Sequence, residues 1–173
     1  MSSQLAVIVV IVTVVAIGVG MAVCFWVWSR STRARVAAIR RERGDVLLVS
    51  AQVSFWTHRA LRRISATSGT QFVRTGSFFT VVIDDAGVEL VRGAGSPSPV
   101  ASFSTSQIRD VAVGHSTFVY ARYTVLKFGI AAGSTVYELP IRVNGPGPTS
   151  LMPASDPTAE GWAATIGASR KSP

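Results

Sequence analysis

The stretch Leu5–Trp28, LAVIVVIVTVVAIGVGMAVCFWVW, decides how the rest of the chain is read. Not one Asp, Glu, Lys, Arg, His, Asn or Gln interrupts its 24 residues. As a helix rising about 1.5 Å per residue it reaches roughly 36 Å, enough to cross a hydrocarbon core of about 30 Å. In lipid every backbone N–H and C=O has to be bonded within the segment, and a single span achieves that only as a helix. The β-branched run Val7–Val15 disfavours helix in water, but a bilayer offers no competing hydrogen-bond partner and overrides that preference. Arg30, Arg33 and Arg35 then end the run at a sharp charge boundary. The sequence predicts a transmembrane helix over 5–28.

The flanks give this helix a direction. Six arginines lie between Arg30 and Arg43 and no Lys or Arg precedes the span, so the positive-inside rule places residues 1–4 outside and the remainder in the cytoplasm of a cell membrane. Phe25, Trp26 and Trp28 cluster at the same end, where amphipathic rings favour the interface. Retention is expected over cleavage: the apolar run exceeds a signal-peptide core and no A-x-A site follows it. The one cysteine, Cys24, lies within the span after Val23, where a lipoprotein site needs a small residue. Ala16 with Gly20, and Gly18 with Ala22, are small residues four apart that would let two helices approach and weakly self-associate. The plainer reading of these four is lipid-facing filler.

The formal charge of +8 is unevenly placed. Between Arg30 and Arg63 nine arginines oppose Glu42 and Asp45, whereas from Ile64 onward eight basic residues meet seven acidic ones. The expected domain is therefore close to neutral and lacks the basic face that nucleic-acid binding needs. No nucleic-acid partner is expected; a bilayer is the nearer polyanion.

Residues 29–44 read as a basic juxtamembrane helix or linker. Arg40, Arg41 and Arg43 complement the C-terminal dipole of a helix and Gly44 suits its left-handed stop. With Arg30, Arg33 and Arg35 they form a candidate membrane-interface set together with Phe25, Trp26 and Trp28, each cation near anionic headgroups contributing about 1 kcal/mol. Val46–Val49 begins a strand-like texture, and Val53, Phe55 and Trp56 read as strand or a buried edge. Ser65–Gly69 reads as loop.

Phe78–Ile83 and Val88–Arg92 bracket Asp84-Asp85-Ala86-Gly87, a hairpin signal. The prolines of Gly93–Pro99 exclude that loop from a sheet interior. Val100–Phe103, then Val111 and Val113, then Tyr123–Ile130 and Val136–Val143 read as further strands, with Gly133-Ser134 as a turn. Ser104 and Gln107 have capping-box spacing, which suggests one helical turn around Thr105–Arg109. Asp156-Pro157 opens a short helix to about Ile166 with Trp162 and Ile166 on one face. Residues 169–173 read as a disordered tail.

The segment VVIDDAGVELVR at Val81–Arg92, then Pro99-Val100 and FSTSQIRDVAV at Phe103–Val113, resembles the bacterial pleckstrin-homology-like domains. In that group a "V-D-x-x-G-L-x-L" strand leads to an "I-x-x-x-x-I-x-D-V" segment, matched here at Phe103, Ile108, Asp110 and Val111, with Phe103 in place of the usual Ile. The order of the whole chain is similar to small actinobacterial membrane proteins with one N-terminal span and a cytoplasmic domain of this kind. The resemblance implies a PH-like domain over 45–168. That domain would be a bent antiparallel sheet, or partly closed barrel, with a C-terminal helix and Trp162 as its plug. The fold class expected is one transmembrane helix plus this mainly-β domain.

The chemistry is mostly absence. His58 and His115 have no cysteine to complete a zinc pattern, and His115 beside Gly114 reads as a surface turn residue. Asp84 and Asp85 read as turn carboxylates that accept from local N–H groups. No catalytic, cofactor or metal site is expected. The function expected is a non-catalytic membrane-anchored adaptor or scaffold offering a PH-like domain to a protein partner. The alternatives are an anionic-lipid-binding module using Arg59, Arg62, Arg63 and Arg74, with solvated side chains as its plainer counterpart, and an accessory subunit of a transporter.

Overall fold

The computed structural model describes residues 3–118 and 121–169. The parts of the expected external segment and tail at 1–2 and 170–173 lie outside them. Helix α1 runs unbroken over Ser3–Arg43 and ends at Gly44, whose φ of 75° is the left-handed stop. Its apolar stretch is long enough to cross a membrane and, among the described residues, nothing covers it. A second segment of the same helix behaves differently. Trp28, Thr32, Arg35, Val36, Ile39 and Arg43 recur at spacings of three and four, so they share one face, and that face lies on the sheet.

Seven strands follow among the described residues: β1 (Leu47–Gln52), β2 (Phe78–Asp84), β3 (Gly87–Arg92), β4 (Ser98–Ser104), β5 (Ile108–Phe118), β6 (Ala121–Ala132) and β7 (Thr135–Asn144). They form one antiparallel sheet in the order β4-β3-β2-β1-β7-β6-β5. Helix α2 (Phe55–Ser68) sits between β1 and β2, and α3 (Asp156–Ser169) follows β7. Inward-facing residues from both halves of the sheet join one core, including Val81, Leu90, Phe128, Ile130 and Leu139, so the sheet wraps around it. Ala60, Leu61 and Ile64 of α2 and Ala159 and Ile166 of α3 complete that core.

Strand β2 explains why Phe78–Ile83 is apolar almost throughout. Phe79, Val81 and Ile83 face the main core, while Val82 joins Leu48 and Val91 beneath Val36 and Ile39 of α1. Both faces are covered, so the polar-out alternation of a half-exposed strand is lost. The β2–β3 turn forms where it was read, with Asp84 alone in the expected carboxylate role: it accepts from the backbone N–H groups of Ala86 and Gly87 at 3.0 and 3.1 Å, whereas Asp85 takes part through its backbone carbonyl, which accepts from Thr105 Oγ1.

Several expectations are corrected. Phe55 and Trp56 are neither strand nor buried edge, whereas Val53 packs half-buried against the core: Ser54 caps α2 through a reciprocal pair with Thr57, and the helix continues through Ser68 to a left-handed Gly69. Most of the expected Ser65–Gly69 loop is therefore its last turn. The physical reason is the helical spacing of Thr57, Ala60, Leu61 and Ile64, which buries one face and leaves the arginines on the other. No helical turn forms at Thr105–Arg109; Gln107 accepts from the Ser104 N–H at 2.9 Å in a tight turn, and β5 resumes at Ile108. Pro99 lies within β4, which tolerates it as an edge strand with a register shift opposite. Ser155, one residue before the expected Asp156, caps α3 by accepting from the Thr158 N–H. Ala159 and Ile166 are the fully buried residues of α3, and the expected plug Trp162 packs against the same core half-buried, beside Gly145.

Candidate interaction surface

The residues singled out in the sequence gather around the junction of α1 with the sheet. Trp28, at the end of the apolar stretch, meets Phe78 at the start of β2 with ring centroids 4.9 Å apart. Further along, the Arg35 guanidinium donates from Nε to Thr80 Oγ1 at 2.8 Å, from Nη1 to the Gly93 carbonyl at 3.0 Å and from Nη2 to Thr32 Oγ1 at 3.4 Å. Arg43 closes the seam against Asp84 and Glu89. Helix and strand advance together: fifteen residues of helix from Trp28 to Arg43 span roughly 22 Å, and the strand from Phe78 to Asp84 spans about 20 Å. The sheet is clamped along α1 with the Phe78 end beside the apolar boundary.

This divides the six arginines expected at headgroups. Arg35 is 2% exposed and Arg43 is ion-paired, so both serve the seam. A buried guanidinium needs its donors satisfied because the unpaired charge is costly to desolvate; here neutral acceptors do that. Arg30, Arg33, Arg40 and Arg41 remain exposed. Arg30 lies over the Trp26 ring at 5.4 Å, and Arg33 and Arg41 bond carbonyls one turn back. Phe25 and Trp26 are exposed, as are Ala16, Gly18, Gly20 and Ala22.

A second group assembles at the end of the sheet beside Trp28. Gln52 pairs with Phe78, the Val53 N–H donates to the Ser77 carbonyl at 3.1 Å, and α2 starts immediately afterwards. Its first two residues, Phe55 and Trp56, are 70% and 53% exposed, with ring centroids 5.3 Å apart. Phe55 borders a shallow recess shared with Arg74 and Ser77. Trp56, Arg59 and Arg63 follow one another on a face of α2 and line a groove with Val136 and Pro140. Arg62 is also exposed on α2. Thr57 fixes the corner by donating to the Pro140 carbonyl at 2.6 Å. Arg59, Arg62, Arg63 and Arg74 thus belong to the neighbourhood of two exposed aromatics whose partnership the sequence reading missed; the signal was the Ser54-x-x-Thr57 cap followed by helical spacing.

A separate polar cluster holds α3. Asp156 accepts from Thr124 Oγ1 at 2.7 Å and bonds His115 Nε2 at 3.0 Å, while Arg122 lies 2.9 Å from His115 Nδ1. Arginine only donates, so Nδ1 accepts and Nε2 carries the proton toward Asp156. His115 is therefore a mid-strand bridge between Arg122 and Asp156 rather than a turn residue. On the neighbouring strands Arg142 stacks 3.2 Å from the Tyr123 ring centroid, and burial lowers the pKa of its guanidinium.

The hydrogen bonds from Thr124 and then from His115 hold the Asp156 carboxyl below its usual range. A depressed folded-state pKa gives stability that is complete above the unfolded value of about 3.9 and is lost as pH falls through the folded value. Amide exchange in α3 is expected to accelerate over that acid window in the wild type. In Asp156→Asn the α3 amides exchange faster at neutral pH and this acid step disappears; an unchanged step would assign it to another group.

No family model matches the sequence, and neither the curated proteins nor the solved structures contain a match.

Proposed function

We propose that this chain is a single-pass membrane protein whose domain is PH-like and serves, without catalysis, as an adaptor for a protein partner at the cytoplasmic face. The observation that carries this reading is the continuity of α1: one helix is bare along its apolar part and clamped to the sheet along its basic part. A domain held this way keeps a fixed height and orientation at the membrane, as a presenting scaffold requires. The strand order β4-β3-β2-β1-β7-β6-β5 followed by a C-terminal helix supports the PH-like assignment, as does the hairpin within the motif that carries the resemblance. Helix α2 is an addition that the resemblance does not imply. Exposed Arg30, Arg33, Arg40 and Arg41 at the end of the apolar stretch support the orientation. A fold of this kind carries many functions, so the role rests on the anchor and surface.

Crosslinking the full chain in its native membrane and identifying what is captured tests the adaptor role. A specific protein, retained when the complex is solubilised, is expected; recovery of lipid and chain alone would overturn it. A reporter fused after Pro173 is expected to be active only in the cytoplasm, and activity only outside would reverse the topology.

A further inference from the structure

We infer that the start of α2 is a second membrane contact, in which Phe55 and Trp56 enter the headgroup region of the same bilayer that α1 crosses, flanked by Arg59, Arg63 and Arg74. This rests on the membrane reading of α1 and goes beyond it by naming what covers an otherwise unpartnered aromatic corner.

The placement follows from the seam. Trp28 ends an apolar helix longer than the hydrocarbon core, which sets its ring at the interface. Phe78 packs on that ring, Gln52 pairs with Phe78, and Phe55 is three residues further on, a reach of at most about 10 Å. The clamp along Arg35, Ile39 and Arg43 prevents the sheet from swinging this corner away. Position alone therefore brings Phe55 and Trp56 to the depth where aromatic rings are most favourable.

The chemistry fits the occupant. Two adjacent large rings more than half exposed are unusual on a water-facing helix start, and here they are followed by cations and no acid over Phe55–Ser68. Rings at the interface with arginines reaching phosphates is the composition of a peripheral membrane contact. A soluble acidic protein would also satisfy the arginines, but it would have to enter the narrow space beside Trp28, which headgroups already fill.

The test uses the full chain, labelled with 5-fluorotryptophan, in nanodiscs of phosphatidylcholine and phosphatidylglycerol containing a headgroup spin-labelled lipid. The four tryptophans, Trp26, Trp28, Trp56 and Trp162, give fluorine resonances assigned by single Trp→Phe variants. The expected result is paramagnetic broadening of Trp26, Trp28 and Trp56 with Trp162 sharp. Broadened Trp26 and Trp28 with a sharp Trp56 would overturn the second contact and leave the anchor standing. Sharp signals from all four would instead remove the anchor on which it rests. In Phe55→Ser, with its ring lost from the corner, the Trp56 broadening is expected to fall, and broadening equal to the unaltered chain would count against the paired insertion.

Discussion

Replacing Ile39 by Lys is expected to release the sheet from α1 while leaving the sheet folded. Ile39 is 2% exposed and packs with Val36, Leu48, Val82 and Val91, a cluster that shares no residue with the main core. Losing that aliphatic chain alone costs about 2–5 kcal/mol at a buried site. The added ammonium then lies between Arg35 and Arg43, four residues away on either side of the same helical face, where like charges repel. The seam has few apolar residues with which to absorb this. In detergent, trypsin is expected to cut the variant rapidly at Arg40, Arg41 or Arg43 and to leave a resistant fragment that begins near Gly44. Digestion of the whole domain at the same rate would mean that the two clusters fold as one unit. Unchanged resistance would mean that α1 and the sheet are not held by this seam.

A loss of similar size is expected from Gly87→Ala. Gly87 closes the Asp84–Gly87 turn at φ 145°, a conformation essentially reserved for glycine. It also pairs with Ser104 across β4, and a Cβ there would collide with the Phe103 carbonyl oxygen and approach Ser104 Cα to 2.9 Å. Both obstacles are backbone, so no side-chain rotation relieves them. Strain of this kind with loss of the β3–β4 pairing is expected to cost about 3 kcal/mol or more, visible as a lowered urea midpoint for the detergent-solubilised chain. Gly133→Ala, at φ 59° with only Thr67 Cγ2 nearby at 3.7 Å, is the milder comparison. Equal effects at the two positions would show that backbone conformation, not the close approach, sets the cost.

The acid loosening of α3 and the membrane contact at α2 are held by different bonds. Asp156 bridges to β5 and β6, whereas Phe55 follows β1 at the seam.

Much of the layout is written in local pattern. Leu5–Trp28 specifies a helix by length and composition, the Asp84–Gly87 turn specifies its hairpin, and the strands up to Val143 follow from alternating or continuous apolar runs bounded by glycine and proline. These features depend on residues near one another in sequence, and one chain displays them. Helix α2 was equally local, but Phe55 and Trp56 read as sheet residues because two large rings after Val53 suggest burial. The helical spacing from Thr57 to Ile64 outweighs them once the core accepts Ala60, Leu61 and Ile64.

Which arginines join the seam was not local. Arg30, Arg33, Arg35, Arg40, Arg41 and Arg43 look alike along the sequence, yet Thr80, Gly93, Asp84 and Glu89 select Arg35 and Arg43 for the seam. The partners lie at least forty residues away, and nothing in the basic run announces them. The same holds for His115, whose role is fixed by Asp156 on another element. The sequence by itself determined an apolar helix, a basic boundary and a run of strands. Only the tertiary structure decided that the basic part of that helix lies on the sheet as a clamp and that two aromatic rings stand beside its apolar end. Burial of a charge or exposure of a ring is a property of what packs against it, and that is settled by distant parts of the chain.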